Sequence, residues 1–317
     1  MSSWLAPAKL NLFLHVVGRR DDGLHELQTL FQLLDYGDTL DFDARRDGVI
    51  RRLGAPQLPD DDLSVRAARA LQVASGTTLG ADIHLTKRIP VGAGLGGGSS
   101  DAATVLVALN RVWNAGLSRA ELAQLGLTLG ADVPLFVGGC SAWGEGVGER
   151  LLPVTLPEQQ YCVIWPQASV STGAIFADRE LTRNSPRIRI PGPFEGDRRN
   201  DLEPVARRQF PEVGQCLDWL GKFGPARMSG SGSAAFVAVA DDQAGQQILD
   251  QLPATYSGLV ARGINQNPAF ADESDGVKPK GKAPDFDPGI PRLESGHPRQ
   301  LLEFQPLTPK RQEFHGS

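Results

Sequence analysis

Cysteine is scarce in this chain: three in 317 residues, at positions 140, 162 and 216. An odd, widely spaced set provides neither a disulfide framework nor a zinc cluster, and it fits a reducing compartment. A basic excess is missing as well. The formal net charge is −5, which argues against a nucleic-acid binder with its basic face. No apolar run reaches membrane-spanning length. Met1 leads into strand-like sequence within a few residues, which leaves no room for a signal or transit peptide. The expectation is a cytoplasmic protein with neither a membrane nor a nucleic-acid partner. With 41% hydrophobic and 22% charged residues the composition is that of a globular enzyme, and the length suits two domains.

Glycine, in contrast, is concentrated. Pro90-Val91-Gly92-Ala93-Gly94-Leu95-Gly96-Gly97-Gly98-Ser99-Ser100 holds five glycines and two serines between a strand-like run (81–88) and a helix-like run (101–113). Glycine lets the backbone approach a ligand and adopt positive φ. The helix that follows offers unpaired N–H groups and the positive end of its dipole. Together they predict a phosphate site. Neither common type of phosphate loop fits. Gly92, Gly94 and Gly97 match the spacing of the dinucleotide fingerprint, but no second strand ending in an acid follows the helix. A Walker A loop ends in Gly-Lys-Ser/Thr, whereas this one ends in Gly98-Ser99-Ser100.

Elsewhere the patterning predicts a mixed α and β chain. Residues 10–17 alternate, with Leu10, Leu12, Leu14 and Val16 on one face and Lys9, Asn11, Phe13 and His15 on the other. Strands are expected at 26–34, 39–42, 81–88, 161–165, 234–240 and 258–263. Helices are expected at 62–73, 101–113, 118–129, 211–223 and 241–252, with a start at Ser171-Thr172. Leu135 to Val137 read as an apolar strand or turn. Pro153 and Pro157 mark a domain boundary. A second Gly/Ser loop, 227–233, runs into a strand rather than a helix. From residue 266 periodicity is lost; residues 268–317 hold 8 of the 23 prolines, a composition that disfavours a packed core.

Four side chains carry candidate chemistry. Lys9 and Asn11 lie two residues apart on one strand face, where both can meet a polar ligand; a solvated strand end is the plain alternative for Lys9. Asp132, beside Pro134, is either a helix cap or a carboxylate able to accept a proton from an attacking alcohol. His25, after the Asp21-Asp22-Gly23 turn, is a surface residue or a donor to a base edge or sugar.

In combination the motifs resemble the GHMP small-molecule kinases. They are Pro-Ala-Lys-Leu-Asn-Leu at 7–12, Asp-Gly-Leu-His-Glu-Leu at 22–27, Leu-Asp-Tyr-Gly-Asp at 34–38, the glycine loop with Ser-Ser-Asp-Ala-Ala, Leu-Gly-Ala-Asp-Val-Pro at 129–134, and Ser-Gly-Ser-Gly at 229–232. The resemblance spans 6–265. It implies an α+β, two-domain GHMP kinase fold with the active site in the inter-domain cleft. The N-terminal domain would be 1–152, the C-terminal domain 153–265, and 266–317 a Pro-rich, disordered tail. It implies ATP with Mg²⁺ as cofactor; no protein ligand for the ion stands out, Ser99 or Ser100 being the candidates. The acceptor would be a cytidyl-diphosphate sugar alcohol used in isoprenoid-precursor synthesis, and the protein a monomer or weak homodimer.

By position, the resemblance makes Asp132 the base and Lys9 its partner. Pro90, Val91, Gly92, Ala93, Gly94, Leu95, Gly96, Gly97, Gly98, Ser99 and Ser100 would wrap the ATP phosphates. Lys87 and Asp62 would lie near adenine and ribose. Asn11, His25, Thr172, Phe176, Gly230 and Gly232 would hold the substrate, with His25 on the cytosine edge and Phe176 stacked on the ring. Two positions depart from the pattern: Leu24 stands where an aromatic residue is usual, and Asp62 where Asn is usual. Another small alcohol as acceptor, a dinucleotide oxidoreductase and a non-catalytic nucleotide-binding module are the alternatives.

Overall fold

The computed structural model describes residues 3–168, 170–188 and 198–270. Its frame is a pair of long antiparallel strands, β1 (Trp4–Arg19) and β2 (His25–Arg45). The sequence reads as two strands, 26–34 and 39–42, because Asp35-Tyr36-Gly37-Asp38 carries turn residues. It is one strand instead. Gly37 is needed there for close approach: a Cβ on it would sit 2.3 Å from the Ala6 carbonyl oxygen.

Around this pair the chain adds β3 (Ile50–Leu53), α1 (Leu63–Ser75), β4 (Gly80–Thr86), α2 (Gly97–Val112), α3 (Arg119–Leu127), α4 (Val133–Gly138), β5 (Ala142–Gly146) and β6 (Arg150–Pro153). The second half supplies β7 (Gln160–Pro166), α5 (Thr172–Ala177), α6 (Glu203–Gln209), α7 (Pro211–Leu220), β8 (Arg227–Met228), β9 (Ala235–Val239), α8 (Asp242–Leu249) and β10 (Tyr256–Ile264). The main strand path is β3-β4-β2-β10-β7-β9-β8, with β1 and β5 also paired to β2 and β6 paired to β5. β10 joins the two halves: Gly263 and Ile264 pair with Leu34 and Leu33 of β2, while Tyr256 to Arg262 pair with β7.

Three apolar clusters hold these layers. One lies under α1, α2 and α4 and contains Phe31, Leu33, Ile83, Leu106 and Phe136. A second, in the C-terminal half, contains Cys162, Ile164, Ile175, Leu217 and Val237. The third contains Leu10, Leu34, Tyr161 and Phe236, and it takes in Ala93 and Leu95 of the glycine loop. Burying a Leu- or Phe-sized side chain contributes about 1.5–3 kcal/mol, so Leu95 in that cluster anchors the loop to the sheet.

Several elements differ from the sequence reading. α2 starts at Gly97 rather than 101, because a helix's first turn needs no side chain to form and its N–H groups are left unpaired anyway. Leu135 to Val137 form α4, not a strand or turn. The run is too short to show a period, and Pro134 in the first turn sets the helical direction. The short elements β3, β5, β6, α6 and β8 lie below the length at which periodicity speaks. The strand face bearing Lys9, Asn11 and His15 is turned inward, each residue being 3% exposed. Of the expected tail, Gln266 bridges to Cys140 and Pro268–Phe270 form a 3₁₀ turn with Phe270 buried; residues 271–317 lie outside the described residues. Among the described residues no helix is long and apolar enough to cross a membrane.

Candidate active site

The glycine loop alternates two kinds of residue for two purposes. Gly92, Gly94 and Gly96 take φ of 74°, 76° and 76°, which L residues with a Cβ avoid. Ala93 and Leu95 between them are buried. The loop is thereby bent at every second residue and pinned at the others. Gly96 is the N-cap of α2 and has no side chain to bond the first-turn N–H groups. Those donors, from Gly97, Gly98 and Ser99, are left for a ligand, next to the positive end of the helix.

Where the loop passes β1, it meets Lys9. The Lys9 ammonium donates to the Gly94 carbonyl oxygen at 3.0 Å and to Asn11 Oδ1 at 2.5 Å. It stands 3.5 Å from Asp132 Oδ2. Asp132 occupies the N-cap position of α4 yet makes no cap bond with its side chain, and the carboxylate is 32% exposed. It is therefore free to face a ligand, with Lys9 beside it. Asn11 is engaged inside: its Nδ2 donates to Thr29 Oγ1 at 2.9 Å. Its amide orients Lys9, and it is not directed to open space.

The second Gly/Ser loop closes on the first from the other side. Ser229 Oγ donates to Gly94 O at 3.1 Å and accepts from Asn11 N at 3.2 Å. Ala234 N donates to Ala93 O at 3.0 Å. A Cβ at Gly230 would lie 3.3 Å from Lys9 Nζ, so Gly230 and Lys9 share one spot. Asn200 holds this loop by donating to Met228 O and Gly230 O at 2.9 and 2.7 Å.

On one side of this junction lies a cavity of about 310 Å³, lined among others by Asp62, Leu63, Lys87, Pro90, Gly92 and Asp101. Lys87 does not reach into it as a free cation. Its ammonium is bound by Asp38 and by Asp101 Oδ2 (2.7 Å), and Asp38 Oδ1 accepts from Ile89 N at 2.8 Å. Burial would lower the Lys87 pKa, but Asp101 and Asp38 together raise it. Burial pushes Asp101 up to about 8, against the pull of Lys87 and with Asp38 adding. Asp101 Oδ1 and Ser100 Oγ are buried without a hydrogen-bond partner. Asp62 caps α1 through Val65 N (3.2 Å), and its other oxygen lies 3.6 Å from Arg52 Nε. Its carboxylate lines the cavity wall as a cap. A wider depression of about 710 Å³, lined by Asp35, Asp242 and Arg262 among others, shares no residue with the site.

On the other side the chain places an aromatic group. The His25 ring lies 5.0 Å from Phe176 at 30°. Thr172, one turn earlier on α5, shares a 2.7 Å hydroxyl contact with Ser231, next to Gly230. Cavity, glycine loop, Lys9–Asp132, Ser/Gly loop and the His25–Phe176 pair thus follow one another through direct contacts.

Comparison with known proteins bears on this arrangement. The model for the GHMP kinases N-terminal domain matches residues 62–140, and that for the GHMP kinases C-terminal domain matches 193–258. The 4-diphosphocytidyl-2-C-methyl-D-erythritol kinase of Halorhodospira halophila is 54% identical over 274 residues, 84% of this chain and 94% of that protein. The enzyme of the same name from Azoarcus sp. is 53% identical over 84% of this chain and 95% of its own. The chain belongs to this kinase family. A crystal structure of a 4-(cytidine 5'-diphospho)-2C-methyl-D-erythritol kinase aligns with TM-score 0.74 at 36% identity, over 83% of this chain and all of that one. The mevalonate kinase of Methanococcus jannaschii aligns at TM-score 0.60 and 13% identity, a likeness of fold alone. The GHMP kinase fold expected from the motifs is the fold of this kinase.

Sequence reasoning missed several residues that shape the kinase's site. Asp38 and Asp101 both lie inside quoted motifs, but nothing local says that one lysine joins them. Thr29, Asn200 and Ser229 act through contacts across more than one element. Arg183 lies in an irregular segment with no motif at all. Its Nε donates to His25 Nε2 at 3.0 Å.

Proposed function

We propose that this protein transfers the γ-phosphoryl group of ATP to the 2-hydroxyl of 4-diphosphocytidyl-2-C-methyl-D-erythritol, in the methylerythritol phosphate route to isoprenoid precursors, as a cytoplasmic enzyme. Family membership supports the substrate. The observation that carries the chemistry is the Asp132 carboxylate, left uncapped and beside the Lys9 ammonium at the junction of the two glycine loops.

In this reading ATP enters the 310 Å³ cavity with its phosphates along the Gly92–Ser100 loop, where the first-turn N–H groups of α2 meet them. The acceptor base lies at His25 and Phe176, which directs its hydroxyl back toward Asp132. Asp132 accepts the hydroxyl proton as attack begins. Lys9, held by Asn11 and Gly94, stands beside Asp132 and steadies the negative charge that collects on the oxygens. Phosphoryl transfer asks a protein chiefly for this positioning and charge stabilisation. Mg²⁺ would arrive with ATP and neutralise phosphate charge. The buried, unpartnered hydroxyl oxygen Ser100 Oγ at the start of α2 is the oxygen donor there that would suit it.

The test is ADP release with MgATP, with and without the cytidyl substrate, for wild type and Asp132→Asn. Substrate-dependent release that falls about 10²–10⁴-fold in the variant, with ATP binding kept, is the expected result. A folded, ATP-binding wild type that ignores the cytidyl substrate would send the assignment to another alcohol. Full activity in Asp132→Asn would remove Asp132 as the base.

A further inference from the structure

Arg183 is bonded at every face of its guanidinium. Nε donates to His25 Nε2 at 3.0 Å. Nη1 donates to the Leu181 carbonyl at 3.1 Å, and Nη2 to the carbonyls of Phe176 and Asp178 at 3.0 and 2.6 Å. Three carbonyls from the end of α5 and the turn after it therefore hold the group in one orientation, aimed at the His25 ring. An arginine has only donors and does not lose its proton in a protein. The ring nitrogen facing it must accept. His25 Nε2 consequently carries no proton, the ring is neutral, and its one N–H is at Nδ1.

We propose that Arg183 is a positioning residue that fixes His25 as a neutral Nδ1–H donor, set to bond an acceptor on the cytosine edge of the substrate. The proposal rests on the cytidyl reading above. The charged surroundings agree with it. Burial lowers the His25 pKa, and Arg183 and Arg19 lower it further; Arg19 is its register partner on β1. The nearby acids do not oppose this. The Glu26 carboxylate pairs with Arg187, and Asp178 is taken by Arg208, Gln209 and Glu180 N. Asp22 pairs with Arg20 at 3.3 Å. The same guanidinium also ties down the Phe176 carbonyl, so one residue holds both the ring that would stack and the ring that would read the edge.

The measurement is a long-range ¹H–¹⁵N spectrum of the full chain labelled at its five histidines, with the His25 signals assigned through His25→Gln. Binding of cytidine 5'-diphosphate is followed in parallel from pH 5.5 to 8. In wild type the proton is expected on Nδ1 throughout, with no titration in that range. In Arg183→Met the ring is expected to titrate at a higher pH than in wild type, while burial and Arg19 still hold it below its free value of about 6.5. The variant's dissociation constant, relative to wild type at each pH, should then worsen as pH falls from 8 to 5.5. With the full substrate this appears in KM and leaves kcat at pH 8 unchanged. A wild-type proton on Nε2, or a wild-type ring titrating near 6.5, overturns the proposal even if Arg183→Met does not fold. An Arg183→Met protein with the wild-type tautomer and a flat binding ratio overturns it too. A wild type with the Nδ1 proton that binds no cytidine nucleotide overturns the cytidyl reading, and with it the ligand half of this proposal.

Discussion

Lys87 is the residue whose removal best separates a structural from a ligand-binding role. Its side chain is 6% exposed and lies between Asp38 and Asp101, whose side chains are 0% and 2% exposed. Lys87→Met keeps the stem and deletes the charge. Breaking a buried ion pair from one side costs about 3–5 kcal/mol. The low end applies here, since Asp38 keeps its bonds from Arg88 N and Ile89 N and Asp101 can hold its proton. A loss of about 3 kcal/mol in a chain of this size lowers Tm by about 6–12 °C. Asp38→Asn in the same chain should restore more than half of it, because an amide oxygen still accepts those two N–H groups while no net charge remains buried. Thermal melts of the two single variants and the double variant give this coupling directly. A wild-type Tm for Lys87→Met, with only the KM for ATP raised, would refute the reasoning and make Lys87 a nucleotide ligand. Additive losses would refute the charge argument alone.

The remaining predictions concern the loops, the base pocket and pH. In Gly94→Ala the new Cβ would lie 2.3 Å from Ser229 O and 2.9 Å from Gly232 O at φ 76°. The two loops must part, and kcat/KM should fall about 100-fold in a protein that still melts cooperatively; an active variant would show that the loops do not need this contact. Leu24, 51% exposed, is expected to leave the cytosine without a stacking partner on that side. Leu24→Tyr should tighten cytidyl binding by about 0.5–1.5 kcal/mol, roughly 2- to 12-fold, and an unchanged dissociation constant would count against it. The native pKa of Asp101, about 8, is above its unfolded value. Its contribution to stability is thus complete below about pH 4 and is lost as pH rises through about 8. Over the same upper range the Asp38–Lys87–Asp101 group gains a net negative charge, so KM for ATP should rise above pH 8. Asp101→Asn should flatten that rise, and a profile identical to wild type would assign it elsewhere.

The long elements were legible in the sequence because their signals are local. The period of α1, the alternation of β1 and the glycine loop between β4 and α2 each lie within one window. Short elements such as β3, α4 and α6 show no period of their own and took their form from the apolar layers they pack against. At the site the same division holds. The sequence alone determined which residue types were present and in what motifs: a glycine loop of neither Walker nor dinucleotide type, a lysine and an amide two apart, and an aspartate before proline. Tertiary structure decided what each does with its hydrogen bonds. Asp62 and Asp132 both stand at helix N-caps, yet one bonds its helix and the other does not. Asn11 turns inward to Lys9 and Thr29, Lys87 is neutralised by two acids, and Arg183 reaches His25 from 158 residues away in the chain. Each of these is a matter of where a buried polar group finds its partner. A buried group must find one somewhere, and no local pattern states where.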